Sequence, residues 1–160
     1  MQLIRLCNSN EAKYKIHFKY HIVHISGMNE LVSDEDLNTL REYVEEEFKE
    51  ERNLVDFTIV NVNELVDGYS EWSSFLPTTT VTERIDANRF LLKQALEAFA
   101  RKVGLKYIML GTDATHLAIT ALANLALARP NISLLLPHTF SLSGDKSIQF
   151  LQPLREVLST

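Results

Sequence analysis

The segment LKYIMLG, residues 105–111, and the stretch ATHLAITALANLALA, residues 114–128, decide the fold of this 160-residue chain. The first run is short, apolar and bounded by glycines, which is typical of a strand buried in a parallel sheet. The second is too short for a membrane span and contains Thr, His and Asn, so we predict a buried helix. A strand that leads directly into a helix predicts a βα unit.

Upstream of this unit the chain alternates between strand-like and helix-like segments. IHFKYHIVHI, residues 16–25, mixes β-branched and aromatic residues and predicts a strand. Ser33 is a good N-cap for a helix whose apolar positions follow at helical spacing, namely Leu37, Leu40, Val44 and Phe48. DFTIVNV, residues 56–62, predicts a second strand, and we expect an irregular surface excursion from there to Pro77.

The segment at residues 78–104 predicts a second long helix. Thr82 or Asp86 is the predicted cap, and Gly104 is the predicted stop. Downstream, NISLLLP (131–137) and SIQFLQPL (147–154) predict a terminal strand pair. This alternation predicts an α/β fold, with a mostly parallel sheet and helices on both faces.

Charge and cysteine usage narrow the classes of function. A formal charge of -5 and a pI near 5.5 argue against a chain that coats a phosphate backbone by itself, because Lys and Arg supply that affinity. Cys7 is the single cysteine, so neither an internal disulfide nor a Cys-x-x-Cys metal site is possible. We expect a soluble protein of the cytoplasm, with no signal peptide and no membrane partner.

The five histidines raise the possibility of a metal site, but their spacing argues against one. His17 and His21 are four residues apart, which on a strand separates them by more than about 10 Å. His21 and His24 are expected on opposite faces of the same strand, and His116 and His138 are distant in sequence. We predict no metal ligand and interpret these residues as ordinary histidines.

The loop GTDATH, residues 111–116, is the most informative candidate site, because ligands of such sheets bind beyond the strand ends. Its helix N-terminus could hold a phosphate, which makes nucleotide-binding candidates of Gly111, Thr112, Asp113, Thr115 and His116. Alternatively, Gly111 eases a tight turn and Thr112 or Asp113 caps the helix. The sequence contains no P-loop and no nucleophile elbow, so we predict no catalytic residue.

Several segments in a fixed order carry a family resemblance. They are RFLLKQALEAFARKVGLKYIMLGTDATHLAITALANLALAR (89–129), LLLPHTF (134–140) and LQPLRE (151–156). Together they resemble the cytoplasmic tRNA 2-thiolation protein 2 family over roughly 70 residues. Several ordered segments are more specific than any one of them.

The resemblance implies the Rossmann-like fold of the PP-loop ATP pyrophosphatases, the adenine nucleotide alpha hydrolase type. In that fold a first strand ends in S-G-G-x-D-S, a motif that is missing here. QLIRLC, residues 2–7, is similar to the end of the helix that follows that motif. We therefore expect one truncated domain over residues 1–160. The missing first strand would leave a gap in the middle of the sheet, which invites pairing with another chain or aggregation.

Active members of the superfamily carry G-H-x-x-D-D after a later strand, and this chain matches the pattern only at Gly111 and Ala114. Thr112, Thr115 and His116 replace its histidine and acidic pair. The resemblance therefore implies a non-catalytic subunit that binds no cofactor of its own. It would pair with a catalytic paralogue that uses ATP and receives sulfur from a ubiquitin-like carrier, and the complex would 2-thiolate the wobble uridine (U34) of cytosolic tRNA for Lys, Glu and Gln.

Two other functions stay open. The chain could be an active ATP-binding PP-loop enzyme that modifies tRNA, with a phosphate still held by the GTDATH loop. It could also be a Rossmann-like scaffold with unrelated partners.

Overall fold

The computed structural model describes residues 19–28, 33–49, 55–75, 80–128, 140–142 and 148–158. These residues form a mixture of helices and short strands, roughly of the α/β class, with small parallel pairings. The chain divides into two compact units, Met1–Leu92 and Lys93–Thr160. The expectation of a single truncated domain over residues 1–160 stays a prediction.

The first unit is built on a strand–helix–strand arrangement. It contains β1 (Tyr20–Ser26), α1 (Asp34–Glu47) and β2 (Val55–Asn61). The two strands pair in parallel over seven positions, from Tyr20 opposite Val55 to Ser26 opposite Asn61. Parallel strands need a crossover connection, and α1 lies in that connection. The predicted strands at 16–25 and 56–62 are confirmed where the structure describes them.

A capping box starts α1 where the sequence predicts it. The Ser33 hydroxyl oxygen accepts the backbone N–H of Asp36 at 3.2 Å, and the Asp36 carboxylate accepts the backbone N–H of Ser33 at 2.9 Å. These bonds satisfy two donors that a helix start leaves without partners. The predicted apolar face is confirmed, because Val44 and Phe48 are buried and the intervening Glu45 and Glu46 are exposed.

The segment after β2 is more ordered than the sequence predicts. It forms a 3₁₀ turn (Val62–Glu64) and a short helix, α2 (Tyr69–Phe75), instead of an irregular surface excursion. Val62 is fully buried, and the buried Tyr69 donates its hydroxyl hydrogen to the carbonyl oxygen of Gly27 at 3.0 Å. The Tyr69 bond ties the segment to the residue that follows β1. The predicted irregular backbone is therefore wrong, whereas most polar side chains of the segment are exposed, as predicted for a surface segment.

Helix α3 (Val81–Val103) begins earlier than predicted and ends where predicted. Thr80 and Glu83 form its capping box: each accepts the backbone N–H of the other, at 3.3 Å and 2.8 Å. Thr82 and Asp86 lack a glutamate three residues downstream, so the cap predicted there is wrong. At the other end Gly104 adopts a positive φ of 80°, the left-handed conformation that terminates helices.

Among its described residues, the second unit contains a three-stranded sheet and one helix that lies wholly within the unit. The elements are β3 (Tyr107–Met109), α4 (Ala114–Ala126), β4 (Phe140–Leu142) and β5 (Gln149–Leu151). The strand order is β3-β5-β4, with β3 parallel and β4 antiparallel to β5. The predicted strand at 147–154 is confirmed as β5, whereas the predicted strand at 131–137 lies outside the described residues.

The core of the second unit forms between the end of α3 and β5. Ala100, Ile148 and Phe150 are buried together, and three partly buried residues pack against them, namely Leu105, Ile108 and Leu110. Ile108 lies on the strand predicted from LKYIMLG, and its two neighbours Tyr107 and Met109 are exposed. The short strand therefore buries one face only.

The prediction that α4 is buried is wrong. Ile119, Leu122 and Leu125 expose 59%, 65% and 67% of their surface, whereas the polar Asn124 is 4% exposed. The three-residue strands of this unit span about 10 Å, and the 13-residue helix is about 20 Å long. The helix is thus about twice as long as these strands. In the part of the chain that the structure describes, no helix is both long and apolar enough to cross a membrane.

Two isoleucines of the second unit test this packing. Ile148 is 1% exposed and Ile119 is 59% exposed. We expect Ile148→Ala to lower the free energy of unfolding by about 2–5 kcal/mol, because it removes buried methyl groups and leaves a cavity. Ile119→Ala, the matched control, should change it by less than about 0.5 kcal/mol. Urea denaturation followed by circular dichroism measures both, and equal effects of the two substitutions would contradict the packing.

Candidate functional site

The loop between β3 and α4 occupies the position where sheets of this class bind ligands. The N–H of Leu110 donates to the carbonyl oxygen of Leu151 at 2.9 Å, which fixes the end of β3 beside β5. Residues 111–113 then connect the strand to the helix, and Asp113 is the N-cap residue. All five candidate nucleotide-binding residues lie in this loop or in the first turn of α4.

The Asp113 carboxylate is bound by the first turn of its own helix. Its Oδ1 atom accepts the backbone N–H of His116 at 2.8 Å and lies 3.0 Å from Nδ1 of the His116 ring. The backbone bond from His116, followed by the contact with its ring, holds the pKa of Asp113 below its usual value of 3.8, and the N–H of Thr115 adds a smaller effect. The carboxylate is therefore ionised at neutral pH, at the positive end of the helix dipole.

A backbone carbonyl from the C-terminal segment accepts a second hydrogen bond from the start of α4. The N–H of Ala114 donates to the carbonyl oxygen of Val157 at 2.8 Å. Val157 is positioned by a turn, in which its own N–H donates to the carbonyl oxygen of Leu154 at 2.9 Å. Val157 directly follows the segment LQPLRE and lies 43 positions after Ala114 in the sequence, so this contact at the start of α4 is long-range.

These contacts leave little capacity for an anion at the start of α4. A helix N-terminus binds phosphate through free backbone N–H groups and a positive potential. Here the Ala114 and His116 donors are engaged, and a carboxylate already supplies negative charge. A phosphate would have to displace Asp113 and the Val157 carbonyl, so the geometry favours the capping interpretation of the loop.

The structure brings three of the five candidate nucleotide-binding residues into contact with one another. Asp113, Thr115 and His116 come together through the cap, as described. Thr112 is half-buried, and a Cβ atom built on Gly111 would meet no atom within 4 Å. The backbone of the chain itself therefore does not require glycine at position 111. Nucleotide binding by these five residues stays a prediction.

The contacts given for the described histidines do not suggest a metal site. Nε2 of His21 lies 2.8 Å from the Thr58 hydroxyl oxygen, across the β1–β2 pair. His24 is half-buried on the same strand, and His17 and His138 lie outside the described residues. Within the ranges that the structure describes, no group of three or more His, Cys, Asp or Glu residues could hold a metal ion.

A buried carboxylate on α3 is a feature that our sequence analysis missed. Glu97 is 4% exposed and lies between Arg101, at 3.3 Å, and Lys93, at 4.0 Å. The Lys93 ammonium also lies 5.3 Å from the centre of the Phe150 ring. Burial of a charge is costly without such partners. The spacing of opposite charges at i-4 and i+4 could have revealed this set.

Comparison with known proteins adds no assignment. No protein-family model matches the chain, and no curated protein matches it either. Support for a function therefore comes from the sequence segments quoted above and from the geometry of the loop.

The Asp113 cap predicts a pH-dependent contribution to stability. Because the folded pKa of Asp113 is below 3.8, the charged form contributes stability above that pH, and the contribution is lost as pH falls through the folded pKa. Asp113→Asn keeps a capping side chain without the charge. We expect a lower Tm than wild type at neutral pH and a smaller difference at about pH 2.

Thermal unfolding at the two pH values measures this difference. Asp67→Asn is the matched control, because Asp67 is an exposed aspartate of the other unit. It should follow wild type at both pH values. A constant difference between Asp113→Asn and wild type across the whole pH range would contradict a charged cap.

Proposed function

We propose that this chain is the non-catalytic subunit of a complex that 2-thiolates the wobble uridine of cytosolic tRNA for Lys, Glu and Gln. The proposal starts from the ordered segments that resemble the tRNA 2-thiolation protein 2 family. The structural observation that carries it is the filled N-terminus of α4, where Asp113 and the Val157 carbonyl occupy the donors. A subunit that leaves ATP to its partner needs no phosphate site at this position.

The division of chemistry follows from this loop. The thiolation reaction activates C2 of the uridine with ATP and replaces its oxygen by sulfur from a ubiquitin-like carrier. An enzyme that performs this step must hold triphosphate beside the uridine. In this chain the corresponding helix end carries an ionised carboxylate, which repels phosphate. We therefore assign ATP binding and sulfur transfer to a catalytic paralogue, and a structural role to this chain.

The proposed fold is a Rossmann-like sheet of the PP-loop type. The parallel β1–α1–β2 arrangement supports it, because such crossovers are the building units of these sheets. The second unit also contains a parallel strand pair, β3 with β5, although the antiparallel strand β4 lies between α4 and β5 in the chain. The cytoplasmic location belongs to the same proposal, since the tRNA substrate is cytosolic.

The exposed face of α4 supports a chain that works with a partner. Ile119, Leu122 and Leu125 follow at three-residue spacing, and each exposes more than half of its surface. Contiguous apolar surface of this kind is typical of interaction sites. Which surface meets the catalytic paralogue is not part of the proposal.

Co-expression tests the proposed assembly. We expect the chain to copurify with the catalytic paralogue of the same organism as a 1:1 complex, because its proposed role is to support that paralogue structurally. The complex should thiolate a transcript of tRNA for Lys when ATP and the thiocarboxylated carrier are added. Retardation of the tRNA in a mercury-containing gel measures the product. The paralogue without this chain is the control, and equal thiolation by it alone would contradict the proposal.

The isolated chain should release no pyrophosphate from ATP. The expected rate equals the background without protein, because the anion-binding end of α4 is filled by groups of the chain itself. Thr115→Ala and His116→Ala should leave this background unchanged in a coupled pyrophosphate assay. Release above background that either substitution abolishes would favour the active ATP-binding enzyme instead.

A further inference from the structure

The two units of the chain carry opposite net charge. Residues 1–92 contain nine Lys or Arg against seventeen Asp or Glu, a net charge of -8. Residues 93–160 contain seven against four, a net charge of +3. The total of -5 therefore conceals a basic second unit. The unfavourable total charge therefore does not exclude contact between the second unit and a phosphate backbone.

The positive charge of the second unit is concentrated where α3 ends. Arg101, Lys102 and Lys106 are all exposed there, and we name them the α3-end cluster. Between residues 93 and 110 the sole acidic residue is Glu97, which is buried and neutralised by Lys93 and Arg101. Neither Lys102 nor Lys106 forms an ion pair within the part of the chain that the structure describes.

The helix dipole accounts for part of this cluster only. Basic residues in a last helical turn are favourable there, which explains Arg101 and Lys102. Lys106 lies beyond the glycine that ends the helix, next to β3. Its neighbour Tyr107 is 60% exposed on the face of β3 opposite the core residue Ile108. An exposed aromatic ring next in sequence to a lysine that forms no ion pair within the described residues is a combination that favours a nucleic acid, since bases stack on such rings.

We propose that the α3-end cluster binds the phosphate backbone of RNA and that Tyr107 stacks on an unpaired base. This deepens the proposed function and rests on it for the identity of the RNA as tRNA. The competing ligand is an acidic protein surface, of which helix α1 in a second copy of this chain is one example. A protein surface would use the charges but would not need the exposed ring.

The test measures binding of the full chain to a labelled tRNA transcript by fluorescence anisotropy, between about 50 and 200 mM NaCl. Binding of wild type should be weak at the upper end, because the first unit is acidic. Lys102→Gln/Lys106→Gln should weaken binding about tenfold or more at the lower end and reduce the slope of log K against log[salt] by about two. Arg101 is left in place because it neutralises Glu97.

Two further variants make the result specific. Lys49→Gln removes an exposed lysine of the first unit and should leave affinity and slope unchanged. Tyr107→Ala should weaken binding with little change in slope, because stacking releases no counterion. An effect of Lys49→Gln equal to that of the double variant would overturn the proposal.

Two other results would also overturn the proposal. The first is an affinity of the double variant for tRNA equal to that of wild type. The second is a salt-sensitive self-association of wild type that the double variant loses, with no binding of RNA by either protein. Copurification with the catalytic paralogue separates this inference from the proposed function. Intact copurification with unaltered RNA binding by the double variant counts against the cluster alone. Lost copurification with cluster-dependent RNA binding counts against the proposed function alone.

Discussion

The pairing of β5 with β3 is the constraint on which the second unit depends. The N–H of Gln149 donates to the carbonyl oxygen of Lys106 at 2.8 Å, and the N–H of Leu110 donates to that of Leu151 at 2.9 Å. These two bonds bracket the strand pair and place Phe150 in the core. They also determine where residues 152–158 can lie, and therefore that the Val157 carbonyl reaches Ala114. The cap of α4 is a consequence of strand pairing.

The acidic residues near this strand pair show why the second unit is basic outside. Glu97 is buried between two cations, and Asp113 is engaged by the first turn of α4. Neither carboxylate is available to neutralise Lys102 or Lys106. Lys102 and Lys106 therefore stay as exposed positive charges, although the whole chain is acidic. The formal charge of a chain predicts its partners poorly when its units differ in sign.

The sequence predicted features that depend on a few neighbouring residues. The Ser33 cap, the Gly104 stop and the strand–helix alternation are of this kind, because local hydrogen bonds and backbone conformation determine them. The start of α3 was also readable, since Thr80, unlike the neighbouring Thr78, Thr79 and Thr82, stands three residues before a glutamate. The exposure of α4 was not readable, because the burial of a helix depends on contacts with residues distant in the sequence. The hydrogen bond from Ala114 to the Val157 carbonyl could not be predicted for a different reason. Every residue type carries the same backbone acceptor, so the sequence does not mark the residue that accepts this bond.

The filled end of α4 is a feature that one substitution could not reverse. Removal of the Asp113 carboxylate would free the His116 N–H, but the Ala114 N–H would still donate to Val157. To free that donor, residues 152–158 would have to move, and their path is fixed by the β3–β5 pair that also builds the core. Phosphate binding at this loop is thus opposed by the same contacts that stabilise the unit. Under the proposed RNA binding, a polyanion meets the chain through side chains elsewhere, and the α3-end cluster offers two lysines for that contact.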